Sequence, residues 1–554
     1  MTHDVDVLVI GAGMSGIGLA IQLIRQHNTR SFELIEKSES VAGTWWVNSY
    51  PGCGCDVPSH FYSYSFELNP NWSQKFALQP EIYRYFTDVA DKYDIPKHVR
   101  FRQVVESAKW DSPSGTWIVT IRDLQSSQIR QRRCKILVSA VGALSIPKKC
   151  DIPGASTFQG RMFHTAEWDH SFDWKGREIV VIGNGCSATQ VVPAISEGDE
   201  AAKKVTQFSR QSHWLAERQN PKYSNLFKWT MKWVPFAMRA YRAMLYWEKE
   251  KGFQGFDTAS GAEMRRGWSE EAATYIRANS PAKYRDFLVP KTEIGCKRRV
   301  NDTGYLASLH RANVDLIYDD PITEITKDGV YTFSGRHVSA DAIVLATGFE
   351  TQKVLSPMEI YGKDGVSINE HWEIVSDGSP SSYFDTCLSG FPNFFIMMGP
   401  NTLSGHLSVI YTTECQINFA LRAIAPILKA LHSRRSLLPA MGKLTDVMEV
   451  TPEAEMRDIN ETQDKAKGLV WGTGCTSWFI DPKTNRNTIM FPDWQYKFWL
   501  RSVFVSWNDL RYTTSAAATK EEQGGRLGLG LLATVLAARL AAVGACRNNA
   551  TLTA

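Results

Sequence analysis

The sequence has no CxxC pair anywhere in its 554 residues. Its ten cysteines, Cys53, Cys55, Cys134, Cys150, Cys186, Cys296, Cys387, Cys415, Cys475 and Cys546, are scattered along the chain. That spacing offers no structural zinc site and no CxxC-type redox pair. The one close pair, Cys53-Gly54-Cys55, reads as two incidental thiols in a turn. Scattered thiols fit a reducing compartment and so point to the cytoplasm. A charge excess is also missing: 62 Lys+Arg against 58 Asp+Glu leave a net +4, so no nucleic acid is called for as a partner. No signal peptide is expected, because a strand at Val5–Ile10 opens almost at once. Nor is there an uninterrupted membrane span. Residues 527–545 are apolar and alanine-rich, but Arg539 breaks the run. A spanning helix wants about 20 apolar residues, and a central Arg costs about 3 kcal/mol. The tail after Ser515 is therefore expected as a surface or poorly ordered helix, and any membrane association would come through it alone.

What is present is a pair of glycine-rich loops. The first is Gly11-Ala12-Gly13-Met14-Ser15-Gly16, and the second is Gly183-Asn184-Gly185-Cys186-Ser187-Ala188. Each follows a short apolar run that reads as a buried parallel strand and precedes an amphipathic helix. After the first loop, residues 17–24 are helical in period and Phe32–Ile35 is the next strand. After the second, residues 188–195 and 205–208 repeat that order. This is βαβ twice. In the first unit Gly11 allows the tight turn, Gly13 lets the backbone approach a pyrophosphate, and Gly16 lets helix and strand pack closely. Glu36, at the end of the next strand, is placed to accept hydrogen bonds from a ribose. An N-terminal site of this form, followed by a second one, fits FAD. In the second unit Gly183 and Gly185 repeat the logic, with Ser187 in the loop and Ala188 in place of the third glycine. Where Glu36 stood, this unit has Arg210. A cation there can pair with the 2′-phosphate of NADPH, which an acid would repel. Two dinucleotides side by side imply electron transfer from one to the other.

The expected fold class is α/β with two Rossmann-like dinucleotide-binding domains. The NADP domain is inserted into a discontinuous FAD domain and itself carries a helical insertion. The boundaries expected are 1–150 (FAD domain, first part), 151–215 (NADP domain, first part), 216–290 (helical insertion), 291–340 (NADP domain, return), 341–515 (FAD domain, second part) and 516–554 (a tail of low order). Residues 341–349 read as a buried strand running into glycine, with residues 136–142 as their counterpart. Eighteen Trp serve equally as core or as stacking surfaces around planar cofactors.

Between the loops, residues 158–169 read Phe158-Gln-Gly160-Arg-Met-Phe-His164-Thr-Ala-Glu-Trp168-Asp169, the pattern FxGxxxHxxxWD. This resembles the signature of type I Baeyer–Villiger monooxygenases. Ala42-Gly43-Thr44-Trp45 with Tyr50-Pro51-Gly52 and Asp56 is similar to the same family's GGTW…YPG…D stretch. Gly295-Cys296-Lys297-Arg298, Gly399-Pro400-Asn401 with Gly405-His406, and Ser477-Trp478 with Asn487 resemble further motifs of it. The resemblance covers about residues 5–510. It departs at Arg299, where many relatives carry proline, at Gln211, where relatives often carry threonine, and over residues 479–486, which are longer and lack a glycine.

The resemblance implies FAD and NADPH as cofactors and insertion of one oxygen atom from O2 beside the carbonyl of an apolar ketone, through a C4a-peroxyflavin, to give an ester or lactone. It implies Arg298 as the fixed cation, since arginine stays charged in any site, and Asp56 as the group that holds and orients it. Lys297 would meet the 2′-phosphate together with Arg210. Thr44, Trp45 and Asp56 would line the isoalloxazine, and Trp478 would face the nicotinamide cofactor. His164 and Trp168 read as structural residues of the linker. Three other readings stay open on the residues: an N- or S-oxygenating flavin-containing monooxygenase, in which Arg298 would be dispensable; a disulfide reductase, which wants a CxxC-type pair; and a redox sensor that binds cofactors without oxygenating.

Overall fold

The structure is a computed structural model that describes residues 3–435, 445–474 and 477–520. Val5–Ile10 (β1) is apolar and buried almost throughout, so it becomes a central strand. The helix Met14–His27 (α1) covers one face of it, and Phe32–Ile35 (β2) returns alongside in parallel, Val7 facing Phe32. On the other side of β1 lies Ile129–Ser139 (β3), with Val7 facing Ile136. β3 is also the last strand of an antiparallel meander with Gln103–Asp111 and Thr116–Asp123. Trp117 seals that meander against the sheet, wholly buried, its Nε1 donating to the Pro392 carbonyl at 2.8 Å. The C-terminal half completes the sheet: Phe394–Ile396 pairs in parallel with the end of β3. The first domain is thus discontinuous in sequence, as expected.

The second sheet is five-stranded and parallel. It is built from Arg161–His164 (β4), Glu178–Ile182 (β5), Lys204–Phe208 (β6), Val314–Ile317 (β7) and Ala342–Leu345 (β8), in the spatial order β7-β6-β5-β8-β4. The helix Cys186–Ile195 (α2) connects β5 to β6. The expected boundary at 341 is corrected here. β8 lies between β5 and β4, Leu345 facing both Ile182 and His164, so the return to the first domain begins after Leu345. A four-residue apolar run fits either sheet equally well. What settles its place is pairing, including the Asp341 carboxylate, which accepts the Glu178 backbone N–H at 2.8 Å. Its likeness to β3 does hold, since each strand sits beside the first strand of its own sheet.

Helices Asn225–Trp233, Ala237–Glu250 (α3) and Ala262–Asn279 fill the expected insertion. Leu215–Ala216 and Val300–Asn301 pair in parallel and close its base. Near the C-terminus the Ser515 hydroxyl donates to the Asp446 carboxylate, and the Ala517 N–H donates to the Pro113 carbonyl, so the chain is docked on the first domain at that point. The remainder of the expected tail, including 527–545, lies outside the described residues. No helix among the described residues is long and apolar enough to cross a membrane.

Close packing at the first loop gives a test. A Cβ at Gly16 would sit 2.1 Å from the Gly11 carbonyl oxygen, a backbone atom that cannot swing away. Gly16→Ala is expected to push α1 off β1, costing about 1–3 kcal/mol and lowering the flavin-to-protein absorbance ratio of the purified protein. Full flavin content at wild-type thermal stability would refute this role for Gly16.

Candidate active site

At the first loop Gly11 adopts φ 104°, and the extended Gly13 caps α1 without any side-chain hydrogen bond. The first-turn N–H groups of α1 therefore open toward whatever lies beyond the loop, where the helix dipole favours an anion. Residues 42–45 lie against it. The Ala42 N–H donates to the Ala12 carbonyl, and a Cβ at Gly43 would come within 2.9 Å of the Gly13 Cα. Glu36 is buried, with one carboxylate oxygen accepting the Ala12 N–H at 2.7 Å and the other the Ser38 N–H at 2.8 Å. Its remaining lone pairs are available to a ribose. Thr44 opens the short helical turn Thr44–Val47, and the buried Trp45 donates from Nε1 to the Tyr62 hydroxyl at 3.2 Å.

The second loop is built alike. A Cβ at Gly183 would lie 2.4 Å from the Ala346 carbonyl oxygen, whereas one at Gly185 would meet nothing within 4 Å. Gly185 caps α2 without a side-chain hydrogen bond, which leaves an open cradle at that helix N-terminus. Ser187 sits half-buried in the first turn, and Ala188 is wholly buried beneath it. Both loops thus have the open, uncapped backbone a dinucleotide pyrophosphate needs. Arg210 is exposed just past the end of β6. Its neighbour Gln211 takes the Lys297 ammonium on its side-chain oxygen and the Asn184 amide on its carbonyl. Arg210, Gln211 and Lys297 therefore share one mouth of the loop. Gln211 had registered in the sequence only as a departure from the family pattern. Partial burial holds the Lys297 ammonium below its usual pKa, a shift that an anion beside it would oppose.

Asp56 and Arg298, 242 positions apart in sequence, meet on the wall of one cavity. Arg298 Nε donates to Asp56 Oδ2 at 2.7 Å, and Nη1 reaches the Ser404 carbonyl at 3.4 Å. Asn301 donates to the Asp56 carbonyl at 3.2 Å. The Asp56 carboxylate raises the pKa of the guanidinium above its usual value. Both side chains are about 30% exposed, and they face a cavity of about 370 Å³. Apolar walls come from Phe256, Met264, Trp268, Trp471 and Phe479. Arg299 is the outer, exposed member of the Lys297-Arg298-Arg299 run, so Arg298 is the guanidinium held at the domain junction. Cys296, just before it, is disulfide-bonded, a feature that no cysteine spacing announced. On the far wall His406 Nε2 lies 3.0 Å from the Glu250 carboxylate at the end of α3, and Nδ1 lies 3.1 Å from the Ser404 hydroxyl. Glu250 has no motif to mark it in the sequence. It is wholly buried, and the insertion delivers it.

Two expectations fare differently. The structure does not place Trp478 on this cavity. Its side chain is 37% exposed, its carbonyl accepts from Thr351 and Gln352, and the buried Phe479 lines the wall instead. Successive side chains in an irregular turn point apart, and no periodicity tells which one faces inward. The residues 158–169, by contrast, build scaffold. His164 Nδ1 accepts the Ala166 N–H at 3.0 Å at the end of β4, and Trp168 packs edge-on against Phe163 with ring centroids 5.0 Å apart. Asp169 accepts the Ser171 N–H at 2.9 Å.

The flavin-binding monooxygenase-like family matches residues 4–235. A Baeyer–Villiger monooxygenase of Pseudomonas aeruginosa is 33% identical over 519 residues, covering 93% of each chain. The chain belongs to the Baeyer–Villiger monooxygenases. Another of that name, from Streptomyces coelicolor, is 35% identical over 497 residues, covering 88% of this chain and 89% of its own. Among solved structures, the closed form of cyclohexanone monooxygenase superposes with a TM-score of 0.78 at 25% identity, over 93% of this chain and all of its own. The enzyme OTEMO in complex with FAD and NADP has the same TM-score at 26% identity and the same coverage. The family explains the otherwise unusual combination of two open loops with one ion pair on a cavity wall.

Lys297→Met is expected to raise the KM for NADPH and to narrow the preference for NADPH over NADH. The change should be on the order of tenfold, the size of one charge-assisted hydrogen bond. Steady-state kinetics with both nucleotides measure it, and an unchanged preference would rule out Lys297 as the 2′-phosphate contact.

Proposed function

We propose that this Baeyer–Villiger monooxygenase converts a ketone, O2, NADPH and a proton into an ester or lactone, NADP+ and water, with Arg298 as its catalytic cation. FAD and NADPH, when bound, supply the hydride transfer and the activation of oxygen. The chain itself supplies position and field. The N-termini of α1 and α2 hold the two pyrophosphates, Glu36 accepts from the flavin-side ribose, and Lys297 with Arg210 holds the 2′-phosphate. Thr44 and Trp45 pack beside the flavin ring. Arg298 keeps a permanent positive charge where the ketone oxygen gains negative charge, and Asp56 fixes the direction of its N–H groups. The apolar walls hold the ketone body and exclude water, which strengthens that field. Trp478 remains the proposed neighbour of the nicotinamide cofactor, one position from the cavity wall. A cytoplasmic location is proposed as well, supported by free thiols at seven of the eight described cysteines and opposed by the disulfide at Cys296.

The observation that carries the reading is the Asp56–Arg298 pair, at 2.7 Å, on the wall of a cavity lined by both parts of the first domain, the helical insertion and the return strand. N- or S-oxygenation has no use for such a fixed cation, and so the pair favours the ketone reaction. Product analysis with a linear, a cyclic and an aryl ketone tests the activity. Arg298→Ala is expected to lower ester formation by roughly 10²–10³-fold, the scale for loss of one preorganised donor at a developing oxyanion. Undiminished oxygenation of both a ketone and a sulfide by that variant would remove Arg298 from the mechanism. Asp56→Ala should release the guanidinium. The expected result is slower anaerobic bleaching of the flavin by NADPH in stopped flow, and wild-type bleaching would show that Asp56 does not orient Arg298.

A further inference from the structure

The cavity holds more positive charge than the reaction uses. Its walls carry five cations, Lys249, Lys251, Lys297, Arg298 and Arg299, against two carboxylates, Asp56 and Glu248. Arg298 is neutralised by Asp56, and Lys297 is directed to Gln211 at the nucleotide mouth. Lys249 and Arg299, with Lys251, line the remaining space. Lys249 comes from the last turn of α3, one position before the buried Glu250, and Arg299 directly precedes the strand that closes the base of the insertion. Desolvation at the cavity wall weakens the hold of both on their protons, and Arg299 weakens that of Lys249 further, while Glu248 near Lys249 and Glu271 near Arg299 act the other way. Two like charges held together on a cavity wall destabilise the empty site, and an anion between them relieves the repulsion.

From this juxtaposition we infer that the substrate is a ketone carrying a carboxylate, bound with the carboxylate between Lys249 and Arg299 and the carbonyl toward Arg298. The inference rests on the oxygenase reading above. The chemistry is unchanged: one oxygen atom enters the carbon–carbon bond beside the carbonyl and the other leaves as water. The two electrons come from NADPH, and the carboxylate takes no part. The planar guanidinium of Arg299 offers paired donors that match a carboxylate, and Lys249 adds a point charge. Phe256, Met264 and Trp268 line the same wall and suit the apolar body between the two polar ends. An aliphatic or aryl keto acid has this shape; a hydrocarbon ketone would offer neither cation a further anion.

The test compares benzoylbutyrate, its methyl ester and the uncharged ketone valerophenone. In the wild-type holoenzyme the keto acid is expected to show a KM about tenfold below that of its ester, the size of one charge-assisted contact, and the difference should shrink at high salt. Lys249→Met and Arg299→Leu should each pull the acid-to-ester ratio of kcat/KM toward one, and Arg299→Lys should restore part of it. Flavin-fluorescence titration with the same three compounds reads binding without turnover. An acid that binds no tighter than its ester overturns the inference. So does a rise in the KM for NADPH with the ratio unchanged, which would assign the two cations to the nucleotide. Preferential binding of the acid with no ester formed from any ketone would instead leave the anion site standing and refute the oxygenase reading.

Discussion

The ion pair between Asp56 and Arg298 joins the two halves of the molecule at the place where their ligands must meet. Asp56 ends the segment that lies against the first loop, and Arg298 begins the return from the helical insertion. At 2.7 Å the bond fixes both the separation of the domains and the direction of the guanidinium. It does not act alone. The Tyr50 hydroxyl donates to the Gln190 side chain at 2.8 Å, Gln190 donates to the Gly54 carbonyl, and Thr303 donates to the Thr189 carbonyl. All three contacts run through α2, the helix whose N-terminus forms the second cradle. The second loop is therefore tethered directly to the stretch that shapes the flavin side, and the cation sits inside that frame.

Much of this was legible in the sequence because local rules decide it. Gly11, Gly13 and Gly16 with Glu36 demand one backbone geometry, and Gly183 with Gly185 demand it again. Arg298 needed only the family pattern to be paired with Asp56, and the structure brings the two together as expected. What stayed hidden depends on long-range pairing. β8 is four apolar residues that either sheet could have taken, and hydrogen bonding to β4 and β5 decided the matter. The antiparallel meander ending in β3 passed unnoticed, as did the placement of Phe479 rather than Trp478 on the cavity wall.

The helical insertion shows the limit most clearly. Its period is plain from sequence, but its contribution to the cavity is a matter of which residues end α3. Glu250 is buried against His406 and the adjacent Lys249 faces the opening, a division no motif describes. The catalytic end of the cavity is written in family motifs, whereas the end that would choose among ketones is written in a segment without them.

The way the first sheet is assembled constrains how a growing chain can reach it. Trp117 finds the acceptor for its indole N–H at Pro392, and Asn393 donates to the Lys135 carbonyl at 3.0 Å. A ribosome that has finished β3 has made every strand of the first phosphate-binding unit, yet the wedge that seals its lower edge is still some 250 residues from being translated. The inserted domain must emerge, and can collapse on its own parallel sheet, before that seam closes. Native closure of the flavin half is therefore a late, post-insertion event, and a truncated product ending before Pro392 would carry an unsealed edge that invites pairing with other chains.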